Sequence, residues 1–284
     1  MIGITGASGG LGRAAAELLL ESVEAREVVL ATRRPESLAD LAERGAEVRR
    51  ADFAAPGSLV GAFAGIDRLL LVSITGVERV EQHRAAIEAA RAAGVRHVAY
   101  TSVVEPVPAN PAAKVDDHAR TEQVLRDSGL AWTFLRNNLY AEIPIPVIEQ
   151  AIASGRLVSN SGAGATSYVS RDDCAAAAVG VLTQDGHEER IYDVTGPEAW
   201  TAADLAALAG RLGGREIELV DLDDAVFAAQ LRGGGVPEAV VPMLTSFGAA
   251  ARAGHLARVT SVVPDLTGRP ARALTDVVGP RVAR

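Results

Sequence analysis

The chain has 284 residues, 48% of them hydrophobic, enough for one large doubly wound domain with a smaller unit appended and no covalent staples. A single cysteine, Cys174, excludes an intrachain disulfide, and a formal charge of -8 argues against nucleic-acid binding, which needs a basic face. No run of about eighteen apolar residues is present, so no membrane partner is expected, and the chain reads as cytoplasmic, with a homodimer allowed.

Residues 1–5 form a short apolar strand that runs into Gly6-Ala7-Ser8-Gly9-Gly10-Leu11-Gly12, and residues 13–23 follow as an amphipathic helix with Leu18, Leu19 and Val23 recurring. This G-x-x-G-x-x-G turn between strand and helix reads as a phosphate cradle. Gly6 turns the chain off the strand, Gly9 lets backbone approach a pyrophosphate, and Gly12 lets the helix pack close. Ser8, Gly10 and Leu11 complete the turn, where the helix N-terminus offers free N–H groups to an anion. A second strand, Val28–Thr32, ends in Arg33-Arg34, where an NAD site places an acidic residue against the ribose 2′-hydroxyl. A guanidinium pairs with a 2′-phosphate instead, so NADP(H) is the expected cofactor and NAD(H) the second choice.

A helix from Pro35 to Gly45 and a third strand over residues 47–51 come next. Asp52 and Phe53 then stand where the adenine is bordered; alternatively, Asp52 caps the helix starting near Ser58. Residues 68–73, with Leu69, Leu70, Leu71 and Val72 continuous, read as a strand buried on both faces of a parallel sheet. Its end, Ser73-Ile74-Thr75, is expected beside the cofactor ribose. After a helix over residues 77–93, the strand 97–102 delivers Thr101 and Ser102 to the nicotinamide end, with the Ser102 hydroxyl toward a substrate carbonyl. The Y-x-x-x-K pair that supplies the proton in most short-chain dehydrogenases is missing: the chain has one lysine, Lys114, and Asn110 stands four residues before it. His118 and Glu122 share a helical face, as a polar pair near the site or a solvated contact. Tyr140 lies past the strand 131–135, on the active side of the sheet. Tyr140, Ser102 and His118 are the candidate catalytic side chains.

Through these segments the chain resembles the atypical short-chain dehydrogenases of the NmrA-like group, and among them the bacterial NADPH-dependent quinone reductases. The resemblance is carried by residues 5–12, Ala31-Thr32-Arg33, residues 69–73, Gln82-His83-Arg84, Ala99-Tyr100-Thr101-Ser102, and His118 with Thr121-Glu122. It continues through Leu135-Arg136-Asn137-Asn138-Leu139-Tyr140, Tyr192, Gly196 and Ala199-Trp200-Thr201. It implies NADPH across the glycine turn, Arg33, the 73–75 loop and a segment beginning with Asn137 and Asn138, and a quinone or similar planar acceptor under a smaller C-terminal domain. The loop 103–114, with Pro106, Pro108 and Pro111, and Ile143-Pro144-Ile145-Pro146 depart from the family pattern, and both border the expected substrate position.

The expected fold class is α/β, a Rossmann doubly wound parallel sheet with a smaller C-terminal α/β substrate-covering domain. Residues 1–142 form the NADP-binding domain, with parts of 156–195 completing the sheet, and 143–284 mainly the substrate-binding unit. Residues 222–231 with Gly233-Gly234-Gly235 resemble a hinged lid, and an apolar helix before residue 284 is expected to dock on the small domain. No metal-spaced Cys/His cluster is present. The leading function is NADPH-dependent hydride transfer to a quinone-like aromatic, including polycyclic polyketide quinones whose hydroquinones react with O2. A redox sensor that binds NAD(P) without turnover and an imine or enone reductase are the alternatives.

Overall fold

In the computed structural model of the protein, which describes residues 1–282, six strands follow one another in parallel: β1 (Ile2–Thr5), β2 (Val28–Thr32), β3 (Glu47–Arg50), β4 (Arg68–Leu71), β5 (His97–Val103) and β6 (Ala131–Asn137). Two short strands, β7 (Arg156–Ser159) and β8 (Ala165–Thr166), precede β9 (Arg190–Val194), which completes the main sheet in the order β3-β2-β1-β4-β5-β6-β9. The order reverses between β1 and β4. In a doubly wound sheet that switch point opens a crevice beyond the carboxyl ends of the strands.

Side chains alternate across the strands and divide the core in two. Ile4, Leu30 and Leu70 face α1 (Gly10–Ser22) and α7 (Arg171–Thr183), with α11 (Val262–Thr267) packed behind them. Val29, Leu69, Leu71 and Tyr100 face α3 (Leu59–Phe63), α4 (Arg79–Ala92) and α5 (Val115–Arg126). The continuous apolar runs therefore serve both faces of one sheet. At the head of α1, a Cβ placed on Gly12 would stand 2.3 Å from the Gly6 carbonyl oxygen, so only glycine lets the helix settle against the end of β1.

The smaller unit has its own core, where Ile148, Leu205, Leu208 and Val278 meet between α6 (Ile145–Ser154), α8 (Ala202–Gly213) and α12 (Leu274–Val282). Two strand pairs brace it: β7 with β11 (Glu218–Asp221) in parallel, and β8 with β10 (Trp200–Thr201) antiparallel. α9 (Asp224–Gly233) and α10 (Val241–Arg252) pack against each other beside these pairs. Asp173, fully buried in α7, receives the Arg272 amide at 2.8 Å and the Arg269 guanidinium at 3.0 Å, which ties the C-terminal segment back to the large unit.

The structure adds detail to the sequence-based expectation. Of the 156–195 stretch, β9 completes the main sheet, and residues 156–159 pair with β11 in the small unit. The helix expected from Pro35 to Gly45 is a 3-10 turn, Pro35–Leu38, followed by the short α2 (Ala39–Glu43), with Leu38 leaving the helical region at φ -123°. α5 starts from Lys114, held at φ +71° without a side-chain cap. α10 follows the Gly233-Gly234-Gly235 run as a further helix. Residues 283–284, the end of the expected C-terminal unit, lie outside the described residues.

Replacing Gly12 with Ala is expected to lower stability by about 1–3 kcal/mol, since backbone must shift to admit the methyl group. A fall in the urea midpoint, together with weaker NADPH binding in the same variant, checks this.

Candidate active site

The glycine turn is built from backbone. Gly6 takes φ +60°, a left-handed conformation that turns the chain off β1, and its carbonyl oxygen accepts the Gly9 amide at 2.9 Å. α1 then begins with no side-chain cap from Gly9, leaving first-turn amides without an intrahelical acceptor. The Ser8 and Thr32 hydroxyls meet at 2.8 Å and join the turn to the end of β2. Beyond them opens a cavity of ≈ 590 Å³, walled by Gly6, Ser8 and Gly9, by Arg33, Asp52 and Phe53, and by Ser73, Ile74 and Thr75. Gly10 and Leu11 lie on the helix side: Leu11 is buried in the core and Gly10 lies under Arg171.

Each wall is held by side chains whose roles the geometry fixes. The Ser73 amide donates to the Thr101 hydroxyl at 2.8 Å, so Thr101 holds the 73–75 loop. The Ile74 amide donates to Nε2 of His83 at 3.1 Å, which leaves Nδ1 of that ring to donate to the Thr121 hydroxyl. Asp52 does not cap the helix near Ser58. Its carboxylate accepts the Ala54 amide, and the Ser58 hydroxyl accepts the Asp52 amide instead. Arg33 and Arg34 line the cavity with no ion-pair partner among the described residues.

Ser73 also borders a second cavity of ≈ 200 Å³, over the ends of β5 and β6, which includes Ser102, His118, Asn137 and Tyr140. Leu139, Ile143 and Phe247 are shared between it and a third cavity of ≈ 140 Å³ under the small unit, where Tyr168, Trp200 and Phe227 stand. The three form a trench from the glycine turn to the small unit. Asn137 is buried at the wall of the middle cavity, and its side-chain oxygen has no hydrogen-bond partner. Glycine backbone, unpaired arginines and this orphaned oxygen are the donor set and acceptor that a nicotinamide dinucleotide phosphate requires.

The candidate catalytic side chains are brought together, but two of the three are committed elsewhere. Ser102 donates to Glu122 at 2.7 Å, and Glu122, 1% exposed, also receives the Arg136 guanidinium through two bonds of 2.9 and 2.7 Å. The expected His118–Glu122 pair therefore does not form. His118 instead accepts from Arg79 through Nε2 at 2.8 Å, and since arginine only donates, Nδ1 carries the proton and meets the Tyr100 hydroxyl at 2.9 Å. Burial first, then the Arg79 charge, depresses His118 well below its ordinary value, while burial pushes the Tyr100 hydroxyl up to about 12. Both groups resist ionisation. Tyr140 lines the cavity with its hydroxyl pKa raised by burial, which makes it a poor proton donor. The Asn138 amide is likewise committed, donating to the Ser167 hydroxyl and the Leu256 carbonyl oxygen, so it clamps the small unit at the wall of the middle cavity.

Arg171 reaches the site from the first turn of α7. Its guanidinium lies 5.2 Å over the Tyr140 ring, and its side chain passes across Gly10 on the way there. Ser170 caps α7 by accepting the Asp173 amide, the pattern of an ordinary helix start. The signal that places Arg171 is the return of α7 onto α1, which only the fold supplies.

Residues 6–185 match the family described as NAD(P)H-binding. The chain belongs to that family. It is 37% identical to quinone oxidoreductase 2 of Escherichia coli over 98% of this chain and 97% of that one. A solved structure of an Escherichia coli NADPH-dependent quinone oxidoreductase in complex with NADPH superposes with a TM-score of 0.95, at 36% identity over 99% of both chains. An NmrA-like family domain-containing oxidoreductase of Aspergillus flavus is 30% identical over 99% of this chain and 92% of its own length. The chain is thus an atypical short-chain dehydrogenase of the NmrA-like group and an NAD(P)H-dependent oxidoreductase, with NADP(H) the preferred cofactor. No helix among the described residues is long and apolar enough to cross a membrane.

Arg33→Ala is expected to weaken NADPH binding on the order of 10- to 100-fold and to leave NADH binding within about threefold; titration with both cofactors tests it, and equal losses refute the assignment. His83 supplies a pH dependence. Burial lowers its pKa from 6.5 to about 3, so between those values the unfolded chain binds a proton that the folded chain does not. Its contribution to stability is full above pH 6.5 and declines as pH falls toward about 3. Urea midpoints measured across that window should drop with pH, and less steeply in His83→Gln.

Proposed function

We propose that this oxidoreductase moves hydride from NADPH to a quinone-like planar aromatic, with the acceptor in the middle cavity over the ends of β5 and β6. The observation that carries this reading is that no activated acid stands there: Ser102 is bonded to Glu122, His118 to Arg79 and Tyr100, and burial makes the Tyr140 hydroxyl a weaker acid than an ordinary phenol. A ketone reductase needs an acid at that place, whereas a quinone leaves a delocalised hydroquinone anion that water can protonate. Similarity to quinone oxidoreductases over nearly the whole chain supports the same class.

Bound NADPH supplies the hydride at its nicotinamide ring. The chain supplies position. Arg33 would hold the 2′-phosphate, the α1 amides the pyrophosphate, and the Asn137 side-chain oxygen the carboxamide. Thr101 and His83 hold the 73–75 loop against the ribose. Tyr140 and Leu139 give the acceptor a flat apolar wall, so that two rings are oriented face to face, which accounts for much of the rate.

The third cavity supports a finer reading, in which the acceptor is polycyclic. It continues the middle cavity past Phe247 and is walled by Tyr168, Trp200 and Phe227, so further fused rings have an aromatic channel to enter. A polyketide quinone whose hydroquinone then reacts with O2, giving hydroxylation in an antibiotic pathway, fits this shape.

NADPH oxidation by the purified protein with quinones graded from benzoquinone to an anthraquinone, with and without oxygen, tests both levels. Turnover of any member is expected. Oxygen uptake confined to the polycyclic members supports the finer reading, and tight NADPH binding without turnover across the series overturns both.

A further inference from the structure

Arg79, at the start of α4, is 4% exposed and has no carboxylate partner among the described residues. Its Nη2 donates to His118 at 2.8 Å, and its Nε is buried with no hydrogen-bond partner at all. A buried, unpaired guanidinium is costly, since a charge leaving water without a counterion loses several kcal/mol of solvation. His118 lines the middle cavity, so one imidazole ring separates the Arg79 cation from the space where the acceptor sits.

The neighbouring charges do not cancel it. Glu122 is shared between Arg136 and Arg126, two cations on one carboxylate, and Asp117 faces Lys114 at 3.6 Å. The wall behind the cavity therefore carries excess positive charge, and Arg79 is the part of it that is shielded from water.

Resting on the reading that the acceptor is a quinone, we propose that Arg79 is the electrostatic positioning residue of the reaction, a buried cation acting through His118 on the negative charge that the acceptor gains. Hydride addition carries two electrons and one proton to the quinone. One C–H bond of the cofactor breaks, one bond to hydrogen forms on the acceptor, and the acceptor's remaining oxygen takes the negative charge until water protonates it. A neutral ground state thus becomes an anion in the cavity. A fixed cation that needs no reorganisation favours the anion over the neutral form, which is differential stabilisation of the step. The same charge gives the cavity a preference for planar anions over neutral molecules of the same shape.

The test reads binding as well as turnover. An ionised hydroxynaphthoquinone and its neutral methyl ether are titrated into the NADP-loaded full chain, wild type, Arg79→Gln and Arg79→Lys. In wild type the anion is expected to bind about tenfold tighter than the ether, the scale of a charge about 12 Å away at an effective dielectric of about 20. The ratio should fall to near unity in Arg79→Gln and persist in Arg79→Lys, with kcat for a neutral quinone falling in Arg79→Gln and recovering in Arg79→Lys. Equal affinity for the two ligands in wild type overturns the proposal even where Arg79→Gln fails to fold. An equal loss of both ligands in Arg79→Gln also overturns it, because that is the behaviour of a residue that only props the wall. Absence of quinone turnover with the anion preference intact would sink the quinone reading and leave the cationic wall standing.

Discussion

A backbone-to-backbone contact sets the whole dinucleotide edge: α1 approaches the carboxyl end of β1 so closely that Gly12 stands against the Gly6 carbonyl with no room for a side chain. That approach aims the uncapped amides of the helix into the crevice at the switch point. It also brings Ala15, Ala16 and Leu19 down onto Ile4 and Leu30, and onto the alanine-rich face of α7. Since α7 starts at Arg171, the contact that seats α1 also delivers a guanidinium to Gly10 and Tyr140. Cofactor edge and substrate wall are set by one packing event.

Much of this was legible in the sequence. Glycine spacing, the continuous Leu69-Leu70-Leu71 run and the Arg33-Arg34 pair each carry their meaning locally, because a tight turn, a doubly buried strand and a charge at a strand end depend on few neighbours. The site's polar wall was not legible for the opposite reason. Ser102 and Arg136 stand 20 and 14 positions from Glu122 and look like ordinary polar residues of two strands and a helix until the sheet register brings them together. Arg79 reads as a surface residue at a helix start, and nothing near it in the chain reveals its burial. Asn138, which the family resemblance assigns to the cofactor, lines the middle cavity with Asn137, and its bonds to Ser167 and Leu256 join segments 29 and 118 positions away.

The buried network also explains how the trench keeps its shape. Loop 73–75 has no regular structure of its own, yet its amides are held by Thr101 from β5 and His83 from α4, and His83 is held in turn by Thr121 from α5. Three elements on one side of the sheet are thus joined by side chains that stay neutral. Neutral partners are the economical choice under a bound dinucleotide that brings its own negative charges, because added carboxylates would repel it.

The chain's only lysine side chain, Lys114, sits at the left-handed residue where the loop over the middle cavity enters α5, about half exposed and flanked by cavity-lining Ala113 and Val115. Amine-directed chemistry on side chains therefore has one address, and that address is the rim of the acceptor site. A single dye attached there would sit within sight of any ligand entering the trench, turning an accident of composition into an optical reporter of occupancy.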